Sequence, residues 1–258
     1  MRFIRFQHGK DSPKYGWLDG ERVGELTAPP FLEHRRLEAV LDLKKLKLLP
    51  PVLPSKIIGV GRNYSEHARE QGADIPDYPL LFMKPVSSLI GPGAEILLPP
   101  QSQQVEHEAE LALIIGKTGR WIRPQVASRF ILGYTIANDV TARDLQSRDG
   151  QWTRAKGFDT FCPLGPWIET EMDVADRLIT CRVNGGLRQM ASTREMIFPI
   201  AQLIAYISSV MTLLPGDVIL TGTPAGVNAL APGDEVEITI DGLGTLKNPV
   251  RSASRPKS

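Results

Sequence analysis

Cysteine is scarce in this sequence: only Cys162 and Cys181 occur among 258 residues, and two thiols cannot supply the clustered set of a structural zinc site. Both are expected to be reduced and packed. Histidine is scarce too, and His8, His34, His67 and His107 lie far apart, which argues against a three-histidine zinc centre. Any metal here should therefore be held by oxygen. No stretch approaches the ~18 uninterrupted apolar residues of a membrane span. The first ten residues alternate in polarity and lack a small-residue cleavage site, so they read as a strand rather than a signal peptide. A soluble, cytoplasmic protein without membrane contacts is the expectation. An excess of charge is also missing: 30 Lys and Arg against 29 Asp and Glu leave a net charge of +1. The most basic stretch, residues 34 to 47, interleaves its charges with apolar residues as the solvated face of a short helix would, so no nucleic-acid partner is expected.

What is present is an ordinary globular composition, 42% hydrophobic and 23% charged, in a chain long enough for one main domain and a small appendage. Residues 1 to 26 alternate around Gly16 and Gly20 as hairpins do, and a helix is expected near residues 32 to 48. Pro50, Pro51 and Pro54 then punctuate the chain ahead of the apolar run Lys56 to Val60. A boundary near residue 52 is expected, with a small N-terminal α/β domain at 1–52 and a larger domain at 53–258. In the larger part, strand signals at 56–60, 80–83, 108–116, 130–137, 178–184, 217–221 and 235–240 outnumber the helices, which predicts an α+β fold. The clearest helix is expected from Pro199 to Leu213, its buried stripe formed by Ile200, Leu203, Ile204, Ile207 and Met211. After about Val250 a frayed basic tail is expected.

The chemistry concentrates in acidic residues. In an extended Val105–Gly116 segment, Glu108 and Glu110 share a face with Cα atoms about 6.6 Å apart. A solvated edge strand could carry both on its outer side. However, Ala112 and Ile114 continue that face as apolar, which places the carboxylates in partly buried surroundings where unpaired charge is costly. A hard divalent cation would resolve the conflict. A second acidic element, Asp139 to Asp144, follows the strand ending at Ala137. Thr141 and Asp144 have helix-capping spacing, which explains Asp144. Asp139, at the strand exit, has no such explanation and is the third expected ligand. Three carboxylates around Mg2+ or Mn2+ would leave positions for water and a chelating substrate.

These residues resemble the fumarylacetoacetate hydrolase family. Four blocks carry the resemblance: Gly59-Val-Gly-Arg-Asn-Tyr-Ser-Glu-His67; Glu108-Ala-Glu110-Leu; Asp139-Val-Thr-Ala-Arg-Asp144 with Lys156-Gly-Phe-Asp159; and Thr221-Gly-Thr-Pro-Ala-Gly-Val227. They span roughly residues 56 to 250, and the N-terminal segment is similar to the small domain preceding the catalytic domain in many bacterial members. The resemblance implies a β-rich mixed sandwich or roll, usually a homodimer, with Mg2+ or Mn2+ at Glu108, Glu110 and Asp139. It also implies a lid-borne His67/Glu70 pair handling water and protons, although surface His-x-x-Glu pairs are common on helices. Residues 71 to 79 have the glycine and proline content of a flap.

Lys156, between Trp152 and Phe158, reads either as a desolvated ammonium facing the metal or as a surface lysine; the resemblance implies the former. Arg143 and Gln146 lie within reach of a substrate carboxylate, and Thr223 matches a family carboxylate contact. Lys84 is a further substrate-binding candidate, a strand-end lysine in solvent being its alternative. Arg148 and Gln151 hint at a second carboxylate, although exposed loop polarity explains them equally well. The expected activity is hydrolysis of C–C bonds in acylpyruvate- or fumarylacetoacetate-like 2-oxo or enol carboxylates. Oxaloacetate-type decarboxylation and 5-carboxymethyl-2-hydroxymuconate-type isomerisation are alternatives, since all three share an enolate. A non-catalytic metal-binding protein is the remote alternative.

Overall fold

The apolar run from Leu111 to Ile115 lies at the centre of the molecule. In the computed structural model, which describes residues 1–253, all seven residues of strand Ala109–Ile115 are buried. Burial on both faces is what a near-continuous apolar strand requires. The strand pairs antiparallel with Ile131–Asn138 on one side and Val218–Leu220 on the other. Beyond Val218–Leu220 lie Ile57–Gly61, joined in parallel, and Leu80–Lys84 at the sheet edge. Beyond Ile131–Asn138 lies Cys162–Glu169, followed by Arg2–Gln7, Lys14–Asp19, Arg22–Leu26 and Arg36–Asp42. The N-terminal strands thus extend the large sheet.

A second sheet runs in the order Gly186–Ser192, Leu178–Val183, Glu235–Ile240, Gly244–Ser252, Ile96–Leu98. Leu111 and Ile136 of the large sheet join Ile179, Cys181, Ile238 and Ile240 of the smaller one in a shared core. The odd-numbered face of the central strand continues into a second cluster, where Leu113 and Ile115 pack with Leu203, Ile204 and Ile207 of helix Ile200–Val210. Each of those three helix side chains is fully buried, worth about 2 kcal/mol apiece in apolar transfer. The opposite face carries Ala112 and Ile114 into a third cluster with Ile57, Val218 and Leu220. The fold is accordingly sheet-rich with few helices, the α+β class that the sequence predicts.

Four local expectations need correction. Residues 32 to 48 form no α-helix: strand Arg36–Asp42, a 3₁₀ turn at Leu43–Lys45 and strand Lys47–Leu49 occupy the segment. Of the basic residues there, Arg36 and Lys47 begin the two strands and Lys44 and Lys45 lie in the 3₁₀ turn, and no α-helix lies in residues 1–52. The long helix ends at Val210, because Met211 is already extended at φ −142° and ψ 153°. Thr141 does not cap helix Arg143–Asp149; its hydroxyl donates to the Asp139 carbonyl, while the Asp144 carboxylate accepts from Ser102, Gln103 and Leu145. Finally, Val250 to Ser252 remain in strand, where Val250 pairs with Ile96; the rest of the expected tail, from residue 254 onward, lies outside the described residues. None of the helices among the described residues is long and apolar enough to cross a membrane.

Candidate active site

Sheet register assembles the acidic cluster. Ala109 lies opposite Asn138, and the Asp139 amide donates to the Glu108 carbonyl at 2.9 Å, which sets Glu108 beside Asp139. The Asn138 side chain accepts from the Glu108 amide, fixing the other side of this corner. Glu110 stands one strand-period further on, where the Gly222 amide donates to its carboxylate at 2.6 Å. Gly222 holds φ +96°, and a Cβ there would lie 2.7 Å from the Asn63 side chain, so only glycine permits this approach. One carboxylate oxygen from each of Glu108, Glu110 and Asp139 lies within 4.8 Å of the others. All three residues are buried.

Three cations face them. Lys156 donates to Glu108 at 2.7 Å and to Asp139 at 2.5 Å, and its ammonium also lies 4.8 Å from the Phe82 ring centre. Lys84 donates to the other Asp139 oxygen at 2.6 Å and to the Val140 carbonyl. Its placement corrects the solvent alternative: Lys84 is 1% exposed. Arg143 donates to Glu108 at 2.5 Å, to Glu106 at 2.7 Å and to Gln146 at 2.6 Å.

The electrostatic consequences differ among the carboxylates. Burial opposes ionisation of Glu108, but Lys156 and Arg143 outweigh it and hold the carboxyl well below its ordinary value. Glu110 goes the other way. Burial, with the charges of Asp139 and Glu108, raises its pKa well above the usual range. Burial alone would lower Lys156, yet Asp139 and Glu108 keep it raised and charged. Glu110 is thus the undercompensated member of an all-oxygen cluster, and this is the condition that a hard divalent cation relieves. The donor set fits such an ion.

His67 and Glu70 lie on the short helix Ser65–Glu70. Glu70 Oε2 is 3.1 Å from His67 Nδ1, while its Oε1 accepts from the Gly226 amide at 3.0 Å, tying the helix to the glycine-rich loop. Thr223 donates to the Ala109 carbonyl. A cavity of about 130 Å³ gathers His67, Glu108, Glu110, Asp139, Arg143, Gln146, Lys156 and Thr223 around one space. Lys84 does not line this space and joins the cluster through Asp139. Of the residues hinted at for a second carboxylate, Gln151 lines an adjoining cleft of about 1030 Å³, whereas the Arg148 guanidinium lies 3.6 Å from Asp149.

The sequence alone did not reveal several participants. Gln189 accepts from the Ala109 amide, lies 3.0 Å from His107 Nδ1, and donates to Thr223 and the Pro224 carbonyl, joining the second sheet to the site. Glu106 holds Arg143. Phe82, Trp152 and Arg62 also line the cavity. Only Arg62 stands within a recognisable motif block; for Gln189, on a distant hairpin, no local signal exists.

Comparison with known proteins agrees with this geometry. Residues 56–251 match the family model described as fumarylacetoacetate (FAA) hydrolase C-terminal, and residues 1–51 match Rv2993c-like, N-terminal. Protein Rv2993c of Mycobacterium tuberculosis is 46% identical over 256 residues, covering 95% of this chain and 97% of its own length. The bovine mitochondrial oxaloacetate tautomerase FAHD2B is 46% identical over 224 residues, covering 82% of this chain and 71% of its own. Among solved structures, 2-hydroxyhepta-2,4-diene-1,7-dioate isomerase from Mycobacterium marinum superposes with a TM-score of 0.91 at 43% identity, covering 99% of this chain and 100% of that one. Maleylpyruvate hydrolase from Sphingobium sp. SYK-6, in complex with manganese(II) and pyruvate, superposes with a TM-score of 0.81 at 33% identity, covering 98% and 100%. With its sheet-rich fold, small N-terminal unit and buried acidic triad, the chain belongs to the fumarylacetoacetate hydrolase family.

Proposed function

We propose that this chain is a divalent-metal-dependent enzyme that moves a proton between carbon and oxygen of oxaloacetate-type 2-oxo acids. The carrying observation is the small cavity in which the Glu108, Glu110 and Asp139 triad meets Lys156 and His67, with Glu70 behind the imidazole. Its volume of about 130 Å³ suits a small acid, well below the ~300–1,000 Å³ typical of drug-sized ligands. Glu108, Glu110 and Asp139 would hold Mg2+ or Mn2+, which supplies Lewis-acid polarisation of a substrate oxygen.

The protein's own groups do the rest. Lys156 donates to the negative charge developing on the C2 oxygen, in a buried setting where such a contact is strong. Arg143 and Gln146 orient the C1 carboxylate, and Thr223 closes the opposite wall. His67, held through Nδ1 by Glu70, presents its other ring nitrogen to the substrate; it takes the C3 proton and delivers it to the C2 oxygen, with no net proton exchanged, and the reverse transfer restores the ketone. Residues 1–52 are proposed to be a distinct small domain that completes the large sheet without contributing to the site.

Sequence patterns alone put C–C hydrolysis first; the 46% identity to a tautomerase favours proton transfer. Hydrolysis remains a second reading, favoured by the fold shared with a maleylpyruvate hydrolase holding manganese and pyruvate. In that case His67/Glu70 would activate water against a distal carbonyl. The test is to follow enol–keto conversion of oxaloacetate beside cleavage of acetylpyruvate with purified protein and Mn2+. Faster conversion of oxaloacetate supports the tautomerase, faster cleavage of acetylpyruvate supports the hydrolase, and turnover of neither overturns both.

A further inference from the structure

We infer that Arg62 reads the distal carboxylate of a dicarboxylate substrate, an assignment that rests on the 2-oxo acid reading above. Arg62 follows strand Ile57–Gly61 with φ 56°, in the left-handed region that side chains other than glycine rarely adopt. The next residue enforces that bend. Asn63 is fully buried, donates to the Thr221 and Phe198 carbonyls and accepts from the Phe198 amide. Backbone held in a sparsely populated conformation beside a cavity is a recurrent mark of a side chain placed for use.

The placement is specific. Arg62, Phe82 and Trp152 line both the inner cavity of about 130 Å³ and the outer cleft of about 1030 Å³, so they form the wall between the two. Trp152 can sit there because Gly61 has no Cβ, which would lie 2.6 Å from its ring. A substrate tail that extends from the acidic triad toward the outer cleft runs past these three residues.

Every other cation lining either space already has a carboxylate partner within the protein, and Lys156 and Arg143 are assigned to the substrate's head. Lys84 is bound to Asp139, Lys156 to Glu108 and Asp139, Arg143 to Glu106 and Glu108, and Arg154 to Asp149. Among the described residues, no carboxylate lies within ion-pair distance of the Arg62 guanidinium, and it is half-buried. The charge balance asks for such a group. Four carboxylates, Glu106, Glu108, Glu110 and Asp139, face three cations, which leaves one negative charge. A divalent cation turns that into one positive charge, sufficient for a single substrate carboxylate. A second carboxylate needs a cation of its own, and a guanidinium offers it a two-pronged contact.

The test compares two unreactive acids with the same 2-hydroxy carboxylate head, L-malate with a distal carboxylate and L-2-hydroxybutyrate without one. Calorimetry measures both on the Mn2+-loaded protein, where wild type should prefer malate by about tenfold or more. Arg62→Gln should abolish most of that preference, and Arg62→Lys should retain part of it. A ratio of two affinities is insensitive to any loss of folded protein. The assignment is overturned if wild type shows no preference, if neither acid binds, or if Arg62→Gln keeps the preference intact. Because binding is read directly, failure of wild type to convert oxaloacetate would sink the tautomerase reading while leaving this comparison decisive.

Discussion

The ammonium of Lys156 lies 2.5 Å from Oδ2 of Asp139, with both side chains buried. The same ammonium holds Glu108, so it occupies two of the three carboxylates that form the acidic cluster. Lys156→Met should therefore destabilise the metal-free protein by about 3–5 kcal/mol, the cost of leaving buried charge without a partner. Turnover should fall by roughly 10²-fold or more if Lys156 stabilises developing oxyanion charge. Mn2+ should bind the variant at least as tightly as wild type, since a competing cation has gone. Denaturant titration, steady-state kinetics and calorimetry check these three expectations.

Glu110 predicts a pH dependence of metal binding. Its pKa is raised by burial and by Asp139 and Glu108, so the metal-free protein keeps a proton there to higher pH than a free glutamate would. A cation must displace that proton, so Mn2+ affinity should weaken as pH falls, by up to about tenfold per pH unit below the raised pKa. Calorimetry in two buffers of different ionisation enthalpy should show proton release. The stability sign follows from the same shift. The folded state holds more protons than the unfolded state between the ordinary and raised values, so Glu110 costs the metal-free protein stability as pH rises through that window. Thermal unfolding with and without Mn2+ at several pH values reads both effects.

Glu70 joins His67 to the Gly226 amide. Glu70→Gln keeps an oxygen acceptor but removes the charge that supports a protonated imidazole. Proton transfer should slow by about 10²-fold while Mn2+ affinity is unchanged, because neither residue belongs to the triad. Stopped-flow assays of oxaloacetate conversion together with metal titration check it. Loss of metal binding would reassign Glu70 to structure.

Gln189 provides a prediction outside the cavity. Gln189→Leu would leave the Ala109 amide and the Pro224 carbonyl each without its Gln189 partner in buried surroundings, while the Thr223 hydroxyl keeps its bond to the Ala109 carbonyl. A loss of about 2–4 kcal/mol in stability is expected, from one to three for each unsatisfied group. Urea unfolding measures it, and a difference below 1 kcal/mol would argue against the role.

Sequence patterning reached further for this site than for the N-terminal segment, and the reason is physical. Glu108 and Glu110 declare themselves because charge interrupts an alternation that Ala112 and Ile114 then resume as core. Asp139 was legible as a carboxylate at a strand exit with no local partner. The register that sets Glu108 against Asp139, however, is a relation between two different strands, Ala109–Ile115 and Ile131–Asn138, and a single strand's pattern cannot encode it. Lys84 follows the same logic: at a strand end, exposure and burial look identical until the facing carboxylate is known. Between residues 32 and 48, apolar and basic residues are mixed closely enough to satisfy a helical period, and pairing with strand Arg22–Leu26 decided for strand.

Catalysis at the Glu108, Glu110 and Asp139 triad is tested by stripping the protein of metal and following oxaloacetate conversion before and after adding Mn2+. No turnover without metal and full recovery on its return are expected, with Glu110→Gln failing to recover; equal rates with and without metal, or an active Glu110→Gln protein, would contradict metal-assisted catalysis at this triad.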